Sequence, residues 1–249
     1  MTGFLEIQHL SKSFDAIQVI DDFSMEVIEG TICCLVGPNG AGKTTTIDLI
    51  TGRVKPTSGR ILFAGDDITG QDEHIIARAG IGRKFQVPAV LRDMTVRQNL
   101  EVAYSRQTNP FSNLFSFTPA GLKRKFDEIA TLAGLTHRLE ALAGNLSHGE
   151  TQWLEIGMVL MQEPRLLLMD EPIAGMTEAE IEKTTRIFKD LRETATLVVV
   201  EHDMGFVREI ADVVTVMHMG SLLAQGSISA IEENPRVRDV YLGEQEEAA

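Results

Sequence analysis

Residues 37–45, GPNGAGKTT, fit the pattern G-x-x-x-x-G-K-[ST] and follow directly on the apolar run TICCLVG at 31–37. A glycine-rich turn between a buried strand and a helix lets successive backbone N–H groups converge, and the helix dipole favours negative charge at the same spot. Such a loop cradles polyphosphate: Lys43 would reach the β- and γ-phosphates, and the Thr44 hydroxyl would ligate Mg2+. A second cluster closes the run RLLLMDEP, where Asp170 and Glu171 follow four apolar residues at the C-terminal edge of a strand. Ligands of wound sheets sit at that edge. Asp170 suits a Mg2+ shell and Glu171 suits a general base aimed at a water, although two adjacent acids also occur at ordinary strand ends.

LSHGETQWLEIG at 146–157 opens another helix with a glycine in its first turn. Ser147 to Glu150 fits the S-x-x-E capping box, which by itself is sufficient for a helix start. Gly149 is left over. It is a poor helix residue that Ala would replace with profit unless something approaches the backbone closely, and a phosphate would do so. His202, at the end of TLVVVEH, and Phe14, in KSFDAIQV, are ambiguous by themselves, since a lone Phe is more often core and a strand-end His has many uses.

The elements that would carry these residues follow from periodicity. The near-continuous apolar runs at 31–37, 165–170 and 196–202 read as strands buried on both faces, as in a parallel sheet covered by helices. Helical patterns alternate with them at KTTTIDLITG, EAEIEKTTRIFKDLRE and MGFVREIAD, which predicts a wound α/β core. Between Gln86 and about Glu163 no stretch reads as a strand, and this segment is expected to form a helical insert. VVTVMHMGSLLAQGS adds two short strands broken at Gly220, followed by a helix around SAIEENP.

Composition sets bounds on partners. With 43% hydrophobic residues in 249, the chain can fill a globular core. Acidic residues outnumber basic ones 36 to 23, giving a formal net charge of -13, which disfavours nucleic acid and anionic lipid as direct partners. No window approaches the about 18 uninterrupted apolar residues of a spanning helix, and the start MTGFLEIQHLSKSF has no signal-peptide texture, so a cytosolic protein is expected. Cys33 and Cys34 are adjacent inside an apolar run and read as small core residues, with no second Cys/His cluster to complete a metal site.

Taken together, GPNGAGKTT, Gln86 in RKFQVP, LSHGE, LLLMDEP and His202 in VEHDM resemble, in order, the Walker A loop, Q-loop, signature, Walker B and H-loop of ABC transporter ATP-binding subunits. The resemblance covers nearly the whole chain. It implies a P-loop NTPase with a RecA-like wound sheet and an ABC-type antiparallel β subdomain, residues 1–86 and 164–249, carrying an α-helical subdomain at 87–163. It also implies ATP and Mg2+ as ligands. The nucleotide contacts would be Phe14, stacked on adenine, Val19, Asn39, Gly40, Ala41, Gly42, Lys43, Thr44 and Thr45; Thr44, Gln86 and Asp170 would serve the metal. Glu171, His202, Lys43 and Gln86 would carry the catalysis. In this family two domains meet head to tail, so Ser147 and Gly149 of one copy would clasp the γ-phosphate held by the other.

The implied partners are a second ATPase subunit of the same or a similar kind, integral membrane permease subunits, and a periplasmic solute-binding protein reached through them. The implied location is the cytoplasmic face of the inner membrane. DEPIAGMTEAE and VYLGE look like the ATPases of branched-chain amino-acid importers, and LSHGETQWLEIGMVL with EPIAGMT looks closest to the D-component ATPase of urea importers. Urea is therefore the expected solute, with branched-chain amino acids as the alternative. Three positions depart from the family pattern. Glu150 replaces Gln and should weaken closure unless it turns back into the cap; Trp153 replaces Arg, exchanging a polar contact for packing; Thr177 replaces the D-loop Asp, which bears on communication between sites. A nucleic-acid or ribosome ATPase is the rival class, disfavoured by the charge and by the lack of a long coiled-coil insertion. A small-molecule kinase would leave LSHGE and His202 without a role.

Overall fold

The computed structural model describes residues 3–84, 90–104 and 120–240, with the backbone alone at 120–122. The chain divides into two compact units: residues 1–81, 165–172 and 191–249 form the first, residues 82–164 and 173–190 the second.

In the first unit, β1 (Leu5–Phe14), β2 (Ile17–Val27), β4 (Ser58–Phe63) and β5 (Asp66–Asp67) form a four-stranded antiparallel sheet in the order β2–β1–β4–β5. A second, mainly parallel sheet runs β10–β9–β3–β8–β7, built from β3 (Ile32–Val36), β7 (Leu166–Asp170), β8 (Thr196–Val200), β9 (Val213–His218) and β10 (Ser221–Gly226). β3 pairs in parallel with both β8 and β9, β7 pairs in parallel with β8, and β10 closes the edge antiparallel to β9. β3, β7 and β8 are buried along their full length, as the unbroken apolar runs demand. Each of their fully buried aliphatic side chains contributes roughly 1.5–3 kcal/mol of transfer free energy.

Cys33 and Cys34 are free and buried in β3. Burial pushes the Cys33 thiol up to about 11 despite the Thr215 hydroxyl 3.5 Å away, and it raises Cys34 as well. Both are inert core residues at neutral pH. On the other side of β7, the Gly80 carbonyl accepts from the amides of Arg165 and Leu166, and β6 (Ile81–Lys84) begins at the next residue. The helices of this unit include α1 (Lys43–Ile50), α2 (Glu73–Ala79), α7 (Met204–Ile210) and α8 (Ile228–Glu233).

The second unit holds α3 (Val96–Tyr104), α4 (Ala120–Leu132), α5 (His148–Leu160) and α6 (Glu178–Leu191, to Asp190). The sequence places a helical insert at 87–163 and leaves the helix at 178–193 with the core; the second compact unit instead starts at Gly82 and takes in residues 173–190. The cause is the packing of α5 on α6. Buried Trp153 donates its indole N–H to Thr184 Oγ1 at 3.0 Å, and Lys183 Nζ sits 3.5 Å from the Trp153 ring centre. Lys84 and Glu155 add a buried ion pair at 3.6 Å within this unit. Among the described residues no helix is long and apolar enough to cross a membrane.

Candidate functional site

In the first unit the chain leaves β3 at Val36 and turns through Gly37, Gly40 and Gly42, all at positive φ. Two of these glycines are dictated by close approach. A Cβ at Gly37 would lie 2.1 Å from the Met217 carbonyl oxygen, and one at Gly42 would meet Ile20 Cδ1 at 2.6 Å and the Val19 carbonyl at 3.1 Å. The loop is fastened from outside by the Gly220 amide, which donates to Ala41 O at 3.0 Å, while Gly220 O accepts from the Asp21 amide at 3.0 Å. α1 then starts from a left-handed Gly42, with no side-chain cap and no acid in its first turn. Its first amides and its dipole are therefore available to an anion. Lys43 is buried, and its Nζ donates to the carbonyls of Gly37 and Pro38 at 2.6 and 2.8 Å. Asn39, Gly40 and Thr44 are exposed and Thr45 is half-buried, so the outer lip of the loop faces solvent.

Val19 lies beside this loop through its carbonyl, as the Gly42 and Gly220 contacts require. Phe14, at the end of β1, is 44% exposed with Lys12 Nζ 4.7 Å from its ring centre, an aromatic face left open rather than a core position. Asp170 is buried at the end of β7. At Glu171 the backbone enters the left-handed region, φ 48°, and its amide donates to Val200 O at 2.9 Å. A non-glycine residue there stores about 1–2 kcal/mol of strain, and the turn brings the carboxylate out of the sheet. His202 Nδ1 stands 3.8 Å from Glu171 Oε1, so two of the residues singled out in sequence converge. A third, which the sequence did not single out, holds His202: buried Glu201 accepts from the His202 amide through Oε2 at 3.1 Å. Its signal was an acid set at the end of an apolar run, one residue before the His. Gln86 lies outside the described residues.

In the second unit Ser147 caps α5 in a complete capping box. Its Oγ accepts from the Glu150 amide at 3.1 Å, and its own amide donates to Glu150 Oε2 at 2.9 Å. Glu150 thus turns back into the cap, where Arg138 Nε donates to Oε1 at 2.9 Å. Partial burial pushes the Glu150 carboxyl up, but the Arg138 guanidinium, the Ser147 amide and His137 together hold it below the usual carboxylate range. Gly149 is buried for a reason the sequence did not reveal. A Cβ there would lie 2.3 Å from Glu180 Oε1, and the Gly149 amide and the Ser147 hydroxyl, the latter at 3.3 Å, both donate to that carboxylate. Thr177, in the D-loop position, donates to Glu180 Oε2 from its amide and from its hydroxyl, each at 3.0 Å. Trp153 does pack, as expected, yet it keeps a polar contact through Thr184.

One unit presents a glycine-rich loop leading to an uncapped helix start, with a carboxylate–histidine pair, and the other a capped helix tip bearing Ser147 and Gly149. The family described as ABC transporter matches residues 20–174. The branched-chain amino-acid transport ATP-binding protein LivG of Archaeoglobus fulgidus, named as probable, is 35% identical over 247 residues, covering 97% of this chain and 96% of the relative. The high-affinity branched-chain amino-acid transport ATP-binding protein BraF of Pseudomonas aeruginosa is 36% identical over 250 residues, covering 96% and 98%. Among solved structures, a nucleotide-free ATP-binding cassette of an ABC transporter superposes with a TM-score of 0.81 at 31% identity, covering 96% of this chain and 98% of the other. An ATP-binding cassette in its ADP conformation gives 0.84 at 30% identity, covering 98% and 100%.

The fold is that of the P-loop, RecA-like ABC ATPases. The chain belongs to the ABC transporter family, in the LivG/BraF group of ATP-binding proteins, and it is an ABC-type ATP-binding and ATP-hydrolysing subunit. The expectation of a urea-importer ATPase is corrected to this coarser statement, because these relatives are all named for branched-chain amino-acid transport. The wording LSHGETQW that suggested urea belongs to a helix start of the ATPase, and likeness of wording there does not by itself specify a solute.

Proposed function

We propose that the chain is the nucleotide-hydrolysing subunit of an importer for branched-chain amino acids, with urea as the second reading, working at the cytoplasmic membrane face through permease subunits. The observation that carries this is the division of the site. The loop around Lys43 with Glu171 and His202 in one unit supplies hydrolytic groups, and the Ser147 tip in the other supplies donors for a phosphate held by a second ATPase. Head-to-tail pairing of two such domains gives both halves a use, whether the partner is a second copy or a similar ATPase. The family names of the relatives support importer-type partners: permease subunits and, through them, a periplasmic solute-binding protein.

In this reading Asn39 to Thr45 wrap the phosphates, with Lys43 exchanging its two carbonyl contacts for phosphate oxygens, and Phe14 and Val19 flank the base. The Thr44 hydroxyl and the Asp170 carboxylate are hard oxygen donors of the kind Mg2+ selects, so these two residues fit that ion; Gln86, which the family resemblance adds, lies outside the described residues. Bound there, Mg2+ would neutralise charge building on the phosphates. Glu171 accepts the proton of the attacking water, and His202, held by Glu201, orients that water and the γ-phosphate. The Gly149 amide and Ser147 hydroxyl of the partnering domain complete the electrostatic clamp. Closure of the pair would rock the permease, and phosphate release would reopen it.

A Glu171→Gln complex should bind ATP and accumulate in a closed, nucleotide-occluded form; turnover at the parental rate would remove Glu171 from the mechanism. For the solute, labelled leucine and labelled urea should be offered to cells lacking this subunit. Loss of leucine uptake supports the main reading. Loss of urea uptake alone favours the second, which rests on LSHGETQWLEIGMVL and EPIAGMT.

A further inference from the structure

The anion position on the signature tip is taken by a group of the chain itself. Glu180 sits in the first turn of α6, and its two carboxylate oxygens do different work. Oε2 is spent locally, accepting from the Thr177 amide and hydroxyl at 3.0 Å each, which is an ordinary helix cap. Oε1 reaches across to α5, where it accepts from the Ser147 hydroxyl at 3.3 Å and lies where a Gly149 side chain would begin. The Gly149 amide donates to the same carboxylate. These are the donors that the proposed sandwich needs for the γ-phosphate of the facing ATPase.

We infer that Glu180 is an internal phosphate mimic that keeps the signature tip closed, so the tip becomes available to a partner's nucleotide only when this side chain swings away. The inference rests on the sandwich reading above. The carboxylate has the right charge and the right acceptor geometry for the site, and a bound γ-phosphate and Glu180 cannot share one amide and one hydroxyl. The hydrogen bonds from Thr177, with those from Ser147 and Gly149, hold the carboxyl of Glu180 below its usual range, so the peg is charged at neutral pH. The unusual D-loop residue fits the same device. Thr177 donates a hydroxyl to Glu180, whereas an Asp at 177 would set a second carboxylate against it and push the peg off.

The contact and its consequence are tested separately. In the full-length chain, Glu180→Gln should move the Gly149 amide proton resonance upfield while the Trp153 indole resonance stays in place. An unmoved Gly149 resonance would mean that Glu180 does not hold the tip, and the inference would fall. In the complete complex carrying Glu171→Gln, the ATP concentration for half-maximal occlusion should drop about tenfold on adding Glu180→Gln if the tip is free roughly one-tenth of the time in the parent. Thr177→Asp, which preserves a helix cap, should shift it in the same direction by less. A lower melting temperature with unchanged half-saturation in both variants would assign Glu180 to helix capping alone and overturn the gate. If the Glu171→Gln complex occludes no nucleotide at any concentration, the sandwich itself fails and the gate with it, whereas the Gly149 resonance still reports on the contact.

Discussion

α1 and α5 each carry at their start a glycine that the sequence singles out, and the two starts are built in opposite ways. α1 starts from a left-handed Gly42 with no cap and no acid, beneath a loop whose shape comes from backbone packed against backbone. α5 starts from a full Ser147–Glu150 box with a further carboxylate laid over it, and it is anchored by a buried indole. The first end is electrostatically open, and its own cation is parked on its own carbonyls. The second is satisfied. A helix start is thus not a phosphate site by sequence pattern alone; what matters is whether the chain has already supplied an anion.

The largest effect should come from the hydrolytic side of that contrast. Glu171→Gln should cut ATP turnover by roughly 100-fold or more while sparing nucleotide binding, the size expected for a lost general base, and a smaller loss would shift the chemistry onto the histidine. Trp153→Ala tests what anchors the tip. Removing a buried indole together with its Thr184 bond should cost about 3–5 kcal/mol in a denaturant titration. A loss near zero would mean the tip does not depend on this packing.

The glycines themselves come next. Gly42→Ala forces a Cβ to 2.6 Å from Ile20 at φ 104°, so about 1–3 kcal/mol should be lost along with nucleotide affinity. Gly149→Ala meets only the far end of the flexible Glu180 side chain and gains helix propensity, and its thermal stability should stay close to that of the parent. Equal losses at the two glycines would erase the distinction between a backbone-built loop and a side-chain-covered tip. Smallest is the pH effect at Glu150. Its carboxyl is lowered in the folded chain, so its stabilisation is present above the unfolded carboxylate value near pH 4.3 and is lost as pH falls through the lower folded value. Glu150→Gln should therefore cost a small amount of stability at neutral pH, converge with the parent in acid, and so flatten the acid limb of the stability curve.

The parallel core was legible because β3, β7 and β8 are buried on both faces, which writes an unbroken apolar run. The antiparallel sheet was not legible from alternation and came only through family resemblance. β1 and β2 slip register between Ile7 and Leu10 and again before Ser13, and His9 and Asp22 adopt positive φ, so the two-residue period never persists. At the site, Lys43, Asp170 and Glu171 could be placed because their signals are contiguous with strand ends. Gly149 was recognised as a point of close approach, but Glu180, which stands there within this chain, left no signal, since it lies 31 positions downstream and reaches the tip only through the packing of two helices. Glu201 was passed over because a buried acid has no periodic signature.

The fastening of Ala41 by Gly220 has a further consequence for how the molecule can be cut. The Met217 carbonyl and the Gly220 amide bear on the glycine loop at 37–42 from a hairpin that follows His202, the last of the recognisable motifs. A fragment ending just after that histidine would preserve every motif a reader could name and still lose the buttress that gives residues 37–42 their curl. Its failure to hold nucleotide would trace to the hairpin, whose letters resemble nothing in particular.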